Sequence, residues 1–524
     1  MNRRSLQLAI GTLLGLLACS VLLLANASIF RMAGNTVWLV IWVVCISLCL
    51  GTPLAFAITR ARIPFRGLAT SLVAGLLFVP LYLQASAWQS VWGAQGWFTL
   101  FFGQPALSGW PAVIWIHSAA AIPWVVLITG FGFARVEAEL EEDALLDASP
   151  GRVFFSVTLR RSWTAIGAAA LWVAAGAAGE MTVTNLYQVP TLAEVSYLQY
   201  AGSAESEEAT QRLLLGTTGL AICMAISLGL FLARMNFDRH TSTRLDWEFP
   251  LSGARRWLNA FDWIVLAGLI AVPLAGLIHK AGIVVTPTNA GWSRTWSAKS
   301  AIAMVSSSPG RFSREIEWSL LIGVVTATIA TFVALLLAIA SRKSLGRWIT
   351  LSTLCFALVI PGPLIGVALI QLFHLFDSQL IAFLYDRSIT APVLAQLVKA
   401  LPLATLVLWP AVTNVPRELL ESAAVDGAGR IGLFWHVIWP LVRRSVVVAW
   451  LVALAVSLGD LAASILVMPP GVETLAIHIF GLIHYGVDDR VAGITLAMVG
   501  AFVAIGVVVQ WLACWRTSRG MMEG

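Results

Sequence analysis

Two short segments of the chain place carboxylates and small residues in the same order. One reads Glu421-Ser-Ala-Ala-Val-Asp-Gly427, and the other, in the first half of the chain, reads Glu142-Asp-Ala-Leu-Leu-Asp-Ala148. Small residues on a short helix let a partner approach closely, and exposed carboxylates give that partner charges to recognise. The chemistry that these residue types suit is therefore recognition of another protein rather than catalysis.

The local sequence around the second segment predicts a short amphipathic helix. Asn414 can cap it, Pro416 falls in its first turn, and Gly427 permits the sharp exit of a helix C-terminus. The first copy lies over this segment when Glu142 is aligned with Glu421. The residues that we expect to contact a partner are Glu142, Asp147, Glu418, Glu421, Ala423, Asp426 and Gly427.

A second pair of candidate residues lies within apolar segments. Glu180 and Asp460 recur at nearly the spacing that relates the two carboxylate segments, each directly after a glycine. Ionisable groups inside a membrane span are costly and are functional candidates by default. Two readings stay open: the carboxylates line a pathway for a cation, or each is hydrogen-bonded within its own half to position a helix break. Lys399 is expected to be paired or to snorkel, and we predict neither a metal site nor a catalytic residue.

The elements that must position these residues are membrane helices. The 524 residues are 59% hydrophobic and 11% charged, and the mean hydropathy is +0.84, which is typical of a polytopic membrane protein. Apolar stretches of about 20 residues, long enough to cross a bilayer, recur along the sequence. They lie near 7–27, 36–58, 67–90, 111–134, 163–185, 213–234, 261–281, 317–340, 350–376, 389–413, 445–468 and 491–514.

The distribution of basic residues predicts the orientation of these spans. Of the 33 Lys and Arg residues, 23 fall in connections on one side of an alternating topology. By the positive-inside rule that side is cytoplasmic, so both termini and both carboxylate segments are expected there. The net charge of +6 is thus explained without a nucleic-acid partner. The first apolar stretch also resembles a signal peptide, but we expect it to be retained as a helix.

The chain divides into two halves that repeat each other. A polar stretch at 236–259 separates 1–235 from 260–524, with six spans predicted on each side. Because each half begins on the same side of the membrane, the repeats are parallel, related by an axis along the membrane normal. The predicted fold is an all-α polytopic membrane protein with about 12 transmembrane helices in two pseudo-symmetric six-helix halves.

The sequence places any energy source outside the chain. No Lys follows a Gly, so the phosphate-cradling Gly-x-x-x-x-Gly-Lys-[Ser/Thr] loop is absent. An integral-membrane enzyme finds no support, because no assignable metal cluster or Ser/His/Asp arrangement is present. A secondary transporter driven by an ion gradient stays open, but it does not explain the paired carboxylate segments.

The second segment, with Ile438-Trp-Pro440 after it, resembles the EAA motif of binding-protein-dependent ABC permeases. The resemblance implies an inner-membrane permease whose two loops are coupling helices that dock on a separate ATPase, in two copies. It also implies a periplasmic or extracellular substrate-binding protein, surrounding membrane lipid, no cofactor of its own, and ATP used only by the partner. The first copy departs from the motif, since Ala148 replaces its Gly and Arg161 its Pro.

A further resemblance concerns the substrate. The stretch 457–476 looks like the corresponding region of fused permeases of the ferric-iron type. That resemblance implies Fe(III), delivered by a binding protein, as the transported species. Permeases for thiamine, polyamine and phosphonate share the architecture and stay open as alternatives.

Overall fold

The computed structural model describes residues 27–519 except 62, 95, 202–216, 220, 223, 227, 228, 230–247, 251–253, 289, 290 and 377. Its described residues form two compact units. Unit 1 comprises those within 1–313 and 478–503, and unit 2 those within 314–477 and 504–519. The helices up to the linker are Ala27–Phe56, Arg66–Leu77, Leu81–Trp92, Trp97–Phe102, Gly109–Ala134, Ala138–Asp147, Pro150–Val153, Leu159–Ala178, Thr182–Leu186 and Leu192–Ala201.

The remaining elements follow the linker. They are helix Ala254–Ala281, strands Ile283–Thr288 and Gly291–Trp296, and helices Ala298–Arg311, Ser313–Ala340, Ser344–Val359, Gly362–His374, Gln379–Asp386, Thr390–Thr413, Arg417–Val425, Arg430–Leu433, Trp439–Gly459, Ile465–Val467, Leu475–His484 and Asp489–Arg519. The two strands pair antiparallel as a hairpin, which the sequence reasoning did not predict.

The core of unit 1 is built from three long helices, Ala27–Phe56, Gly109–Ala134 and Leu159–Ala178, which pack against one another. Small residues at their contacts allow close approach, as is usual between membrane helices. A Cβ on Gly132 would lie 2.3 Å from the Cβ of Ala165, so only glycine fits there.

The core of unit 2 follows the same principle. Buried alanines of helices Ser313–Ala340, Thr390–Thr413 and Trp439–Gly459 form one continuous apolar cluster. The cluster continues beneath the connection that follows Thr413, through Val415, Leu420 and Ile438. This packing positions the second carboxylate segment.

Each unit contains a helix pair bent by 107° at a short break. The breaks precede the helices that begin at Leu81 and Gly362, and a proline, Pro80 or Pro361, stands immediately before each. Proline lacks the N–H that a continuous helix needs, and it disfavours helical geometry in the preceding residue.

The prediction of an all-α polytopic membrane protein is confirmed. Among the described residues, seven helices are long and apolar enough to span a membrane, or nine if each bent pair counts as one span. The predicted span 7–27 and most of 213–234 lie outside the described residues. The predicted span 163–185 corresponds to helix Leu159–Ala178, which is not among those nine.

Helix Ala254–Ala281, the predicted first span of the second sequence half, packs within unit 1. It lies against helix Leu81–Trp92, and a Cβ on Gly276 would approach the side chain of Val91 to 2.3 Å. The packing units therefore do not coincide with the sequence halves, whose boundaries stay a prediction.

Candidate functional site

The second carboxylate segment forms the helix Arg417–Val425, called here the second loop helix. Its C-terminus is closed by two backbone hydrogen bonds, from Gly427 N–H to Ala424 O at 3.1 Å and from Ala428 N–H to Ala423 O at 2.9 Å. This is the Schellman arrangement, and it requires the left-handed backbone that Gly427 adopts with φ of 84°. Gly427 and Ala423 therefore act first through the shape of the helix end.

The second loop helix presents a mixed surface. Glu418, Glu421 and Asp426 are exposed and Ala423 is half-buried. Val425 is 87% exposed, an unusually open position for a valine. An exposed apolar side chain on a segment with three exposed carboxylates is typical of a docking surface rather than of a reaction centre.

The first carboxylate segment forms the helix Ala138–Asp147, called here the first loop helix. Asp147 is exposed and Glu142 half-buried. Leu146, the counterpart of Val425 when Glu142 is aligned with Glu421, is 85% exposed. Because Ala148 stands where the motif has glycine, the helix ends instead in an extended residue, with φ of −139° and ψ of 152°. The two loop helices thus match in an exposed apolar residue and an exposed aspartate, and differ in how they end.

An arginine beneath each loop helix holds the end of the preceding membrane helix. In unit 1, Arg60 donates from Nε to the carbonyl oxygen of Phe133 at 2.8 Å and from Nη2 to that of Val136. In unit 2, Arg342 donates from Nη1 to the carbonyl oxygen of Val412 at 2.8 Å and from Nη2 to that of Val415 at 3.2 Å. These bonds satisfy carbonyl groups that a helix C-terminus leaves without a partner.

In the sequence, these two arginines indicate only the orientation of the membrane spans. A signal for their role was present, since the spacing from Arg60 to Arg342 is close to the spacing from Glu142 to Glu421. The first loop helix adds one contact that also went unpredicted: Glu141 is fully buried, with Oε2 3.8 Å from Nη1 of Arg60.

Glu180 lies at a break in the fifth helix of the first half. Its carboxylate accepts hydrogen bonds from the backbone N–H groups of Thr182 at 2.7 Å and Val183 at 3.1 Å, and so caps the short helix Thr182–Leu186. Oε2 also lies 3.4 Å from Nε2 of buried His117. The side chain of Glu180 is 18% exposed.

The other ring nitrogen of His117 has a backbone partner. Nδ1 lies 2.8 Å from the carbonyl oxygen of Val113, which can only accept, so this nitrogen carries an N–H.

Asp460 lies at the equivalent break in the second half. Its Oδ2 accepts from the backbone N–H of Ser464 at 3.1 Å, and Lys399 attracts the carboxylate electrostatically. Nζ of Lys399 also donates to the carbonyl oxygen of Ile360 at 2.5 Å. Both breaks therefore combine a carboxylate, which accepts from backbone N–H groups, with a basic residue of the membrane helix that leads into the loop helix of the same half.

The sequence did not predict His117 as the partner of Glu180, because His117 does not align with Lys399, the basic residue near Asp460. Matching Pro123 with Pro402 places His117 over Gln396, about one helical turn from Lys399. Gln396 has its own buried partner, since it accepts from the Ser457 hydroxyl at 2.8 Å.

Comparisons with known proteins relate part of this chain to permease proteins of transport systems. The putrescine transport system permease protein PotI of Escherichia coli is 25% identical over 229 residues, which cover 43% of this chain and 78% of the relative. The spermidine/putrescine transport system permease protein PotC of Haemophilus influenzae is 27% identical over 194 residues, covering 37% and 73%. The putative molybdenum transport system permease protein YvgM of Bacillus subtilis is 30% identical over 175 residues, covering 31% and 75%.

The names of these relatives refer to polyamines and molybdenum, so ferric iron stays a prediction from the sequence. Residues 300–517 match the family described as binding-protein-dependent transport system inner membrane component, and this range includes the second loop helix. The chain is therefore a member of the family of binding-protein-dependent transport system inner membrane components.

Proposed function

We propose that this chain is a two-half permease of an ATP-driven importer, coupled to a separate ATPase through its two loop helices. The observation that carries the proposal is the duplicated loop helix. Each copy leaves one apolar residue almost fully exposed near carboxylates, and an arginine fixes the membrane-helix end that leads into it. Two similar surfaces suit two copies of one partner.

The fraction of each protein that the match covers supports the fused arrangement. The match to PotI of Escherichia coli takes up 43% of this chain but 78% of that relative, so there is room for a second half. The family match at 300–517 lies in the second half. The first half enters the proposal through the repeated loop helix, the repeated arginine and the repeated bent helix pair.

The proposal places both loop helices and both termini in the cytoplasm, on the side where Lys and Arg are concentrated. ATP is bound and hydrolysed by the partner, and the chain itself contributes no catalytic residue. A substrate-binding protein outside the membrane delivers the transported molecule, as the family's description implies.

A polyamine is the substrate class that we favour, because two of the three relatives described above are named for putrescine or spermidine. Fe(III) is the second candidate, on the resemblance of 457–476 to ferric-iron permeases. In either case we propose Glu180 and Asp460 as pathway residues that act by shaping the helix breaks, because local hydrogen bonds already engage their carboxylates.

Co-purification tests the coupling role. The tagged permease is purified from its native membrane, and a soluble ATPase is expected to accompany it. Glu421→Lys reverses one exposed charge of the second loop helix and is expected to weaken this association about tenfold. Asp386→Lys, at an exposed position on the helix Gln379–Asp386, is the matched control and should have no effect.

Reconstitution tests the substrate. ATP hydrolysis by the complex with its binding protein is measured with putrescine, spermidine, Fe(III) citrate and molybdate in turn. Stimulation by the polyamines alone supports the favoured class, and stimulation by Fe(III) alone replaces it with the second candidate. Uptake that persists without any ATPase would instead indicate an ion-gradient-driven transporter.

A further inference from the structure

One buried charge pair joins the first loop helix to three other elements of unit 1. Glu141, fully buried on that helix, accepts a hydrogen bond of 2.6 Å from the hydroxyl of Thr158, and its second oxygen lies 3.8 Å from Arg60. Thr158 belongs to the π-helical turn Phe154–Thr158 that leads into helix Leu159–Ala178. Arg60, 4% exposed, lies in the π-helical turn Ala57–Ala61.

The same arginine reaches a fourth element. Its other donors bind the carbonyl oxygens of Phe133 and Val136 at the end of helix Gly109–Ala134. Such a planar guanidinium offers several donors in a fixed geometry, so it can hold a carboxylate and two carbonyl groups at once. The loop helix is thereby tied, through charged and directional contacts, to the ends of the three helices that form the core of unit 1.

Phe249, a residue of the linker, lies next to Arg60. Phe249 donates its backbone N–H to the carbonyl oxygen of Arg60 at 3.0 Å, and its ring centroid lies 5.5 Å from that of Phe56. Phe249 is 1% exposed. Exclusion of water strengthens the attraction between Arg60 and Glu141 and makes loss of either partner more costly.

The second half keeps the arginine but not the acid. When Glu142 is aligned with Glu421, Leu420 stands in the place of Glu141 and Val437 in the place of Thr158. Both are partly buried and pack in the apolar cluster of unit 2. Apolar packing is not directional, so the second loop helix lacks the polar connection that the first one has.

We propose that Glu141 is a positioning residue that locks the first loop helix to the core helices of unit 1, so that the two loops couple to the ATPase with different stiffness. This inference rests on the proposed function. The first loop helix moves with the membrane helices as one body, whereas the second follows them through the apolar packing of Leu420 and Val437. The first loop helix consequently transmits the closure of the ATPase to the membrane helices more tightly than the second loop helix does.

The test uses the reconstituted complex of permease, ATPase and binding protein. Glu141→Gln keeps the size of the side chain and an acceptor for Thr158 but removes the charge, and Glu141→Leu copies the second half. Both are expected to raise the ATP hydrolysed per putrescine transported at least threefold, while ATPase affinity stays within twofold of wild type. Asp143→Asn, on an exposed residue of the same helix, is the control and should leave the ratio unchanged.

The reciprocal variant is Leu420→Glu, which places an acid at the position equivalent to Glu141. It is expected to lower the ATP hydrolysed per molecule transported. If Glu141→Gln and Glu141→Leu still bind the ATPase and do not change the ATP hydrolysed per putrescine transported, the positioning role of Glu141 is wrong. The proposed function would not be affected by that result. Failure of any ATPase to bind the wild-type permease would overturn the proposed function instead.

A measurement on the wild-type complex tests the same proposal without requiring that any variant folds. Amide hydrogen exchange is followed in the first loop helix, 138–147, and in the second, 417–425. The lock predicts exchange at least tenfold slower in the first loop helix. Equal rates in the two loop helices would contradict it.

Discussion

Arg342 donates a hydrogen bond of 2.8 Å to the carbonyl oxygen of Val412, at the last turn of the membrane helix that leads into the second loop helix. Arg60 makes the same contact with Phe133 in the first half, also at 2.8 Å. The backbones that present the two arginines differ, since Arg60 lies in a π-helical turn and Arg342 follows helix Ser313–Ala340. A contact that persists through different local structure indicates that both halves need this helix end to be held.

Truncation of the exposed apolar residue in either loop helix should weaken ATPase binding. Full burial of a Val or Leu side chain contributes about 1.5–3 kcal/mol, so Val425→Ala and Leu146→Ala should each reduce affinity roughly tenfold. Titration of labelled ATPase onto purified permease measures this. Leu375→Ala, at a residue 74% exposed after helix Gly362–His374, is the control. Unchanged affinity in both loop variants would remove these residues from the docking surface.

Loss of the Glu180 carboxylate should destabilise the fold of the first half. Glu180→Ala leaves the N–H groups of Thr182 and Val183 without their acceptor, and a buried unsatisfied donor costs about 1–3 kcal/mol. The temperature of thermal unfolding in detergent should fall, and less so in Glu180→Gln, which retains one acceptor. If Asp143→Ala, at an exposed position, lowers the unfolding temperature as much, the helix-break role is wrong.

Stability should depend on pH through Glu194. Burial raises the pKa of this carboxyl to about 6, against an opposing hydrogen bond from Asn185. The unfolded value is 4.5, so the folded state binds the proton more tightly. The contribution to the free energy of unfolding is therefore full below pH 4.5 and is lost as pH rises through 6, a change of roughly 2 kcal/mol.

Glu194→Gln should remove this dependence and unfold at a higher temperature than wild type at pH 8. Thermal unfolding at pH 5 and pH 8 measures the difference between the two proteins. Glu139→Gln serves as the control and should follow the wild-type pH profile. If Glu194→Gln also follows the wild-type pH profile, Glu194 is not the group that makes stability depend on pH.

Removal of the Phe249 ring should release the linker. A buried Phe→Ala substitution costs about 3 kcal/mol, and the contact with Phe56 would be lost. Limited proteolysis should then cleave near residue 249 faster than in wild type, together with a lower unfolding temperature. Trp257→Ala, at an aromatic residue 81% exposed, provides the comparison and should change neither. Equal cleavage rates would show that Phe249 does not anchor the linker.

Several features of the fold could be predicted because they depend on local composition. Nearly continuous apolar stretches predict membrane helices, since the bilayer fixes the length that they need. Pro80 and Pro361 mark the two bent helix pairs. The sequence predicts each pair as one continuous span, because an apolar stretch does not show the angle between two helical segments. The hairpin 283–296 was missed because its strands are short and lie between two helices.

The sequence by itself determined the class of protein and the repeated loop helices, because each depends on composition or on spacing along the chain. The tertiary structure alone decided which residues meet: Arg60 with Phe133, Glu141 with Thr158, and His117 with Glu180. Such contacts depend on where helix packing directs each side chain. That direction is set by the summed fit of all the helices and cannot be inferred from any one segment.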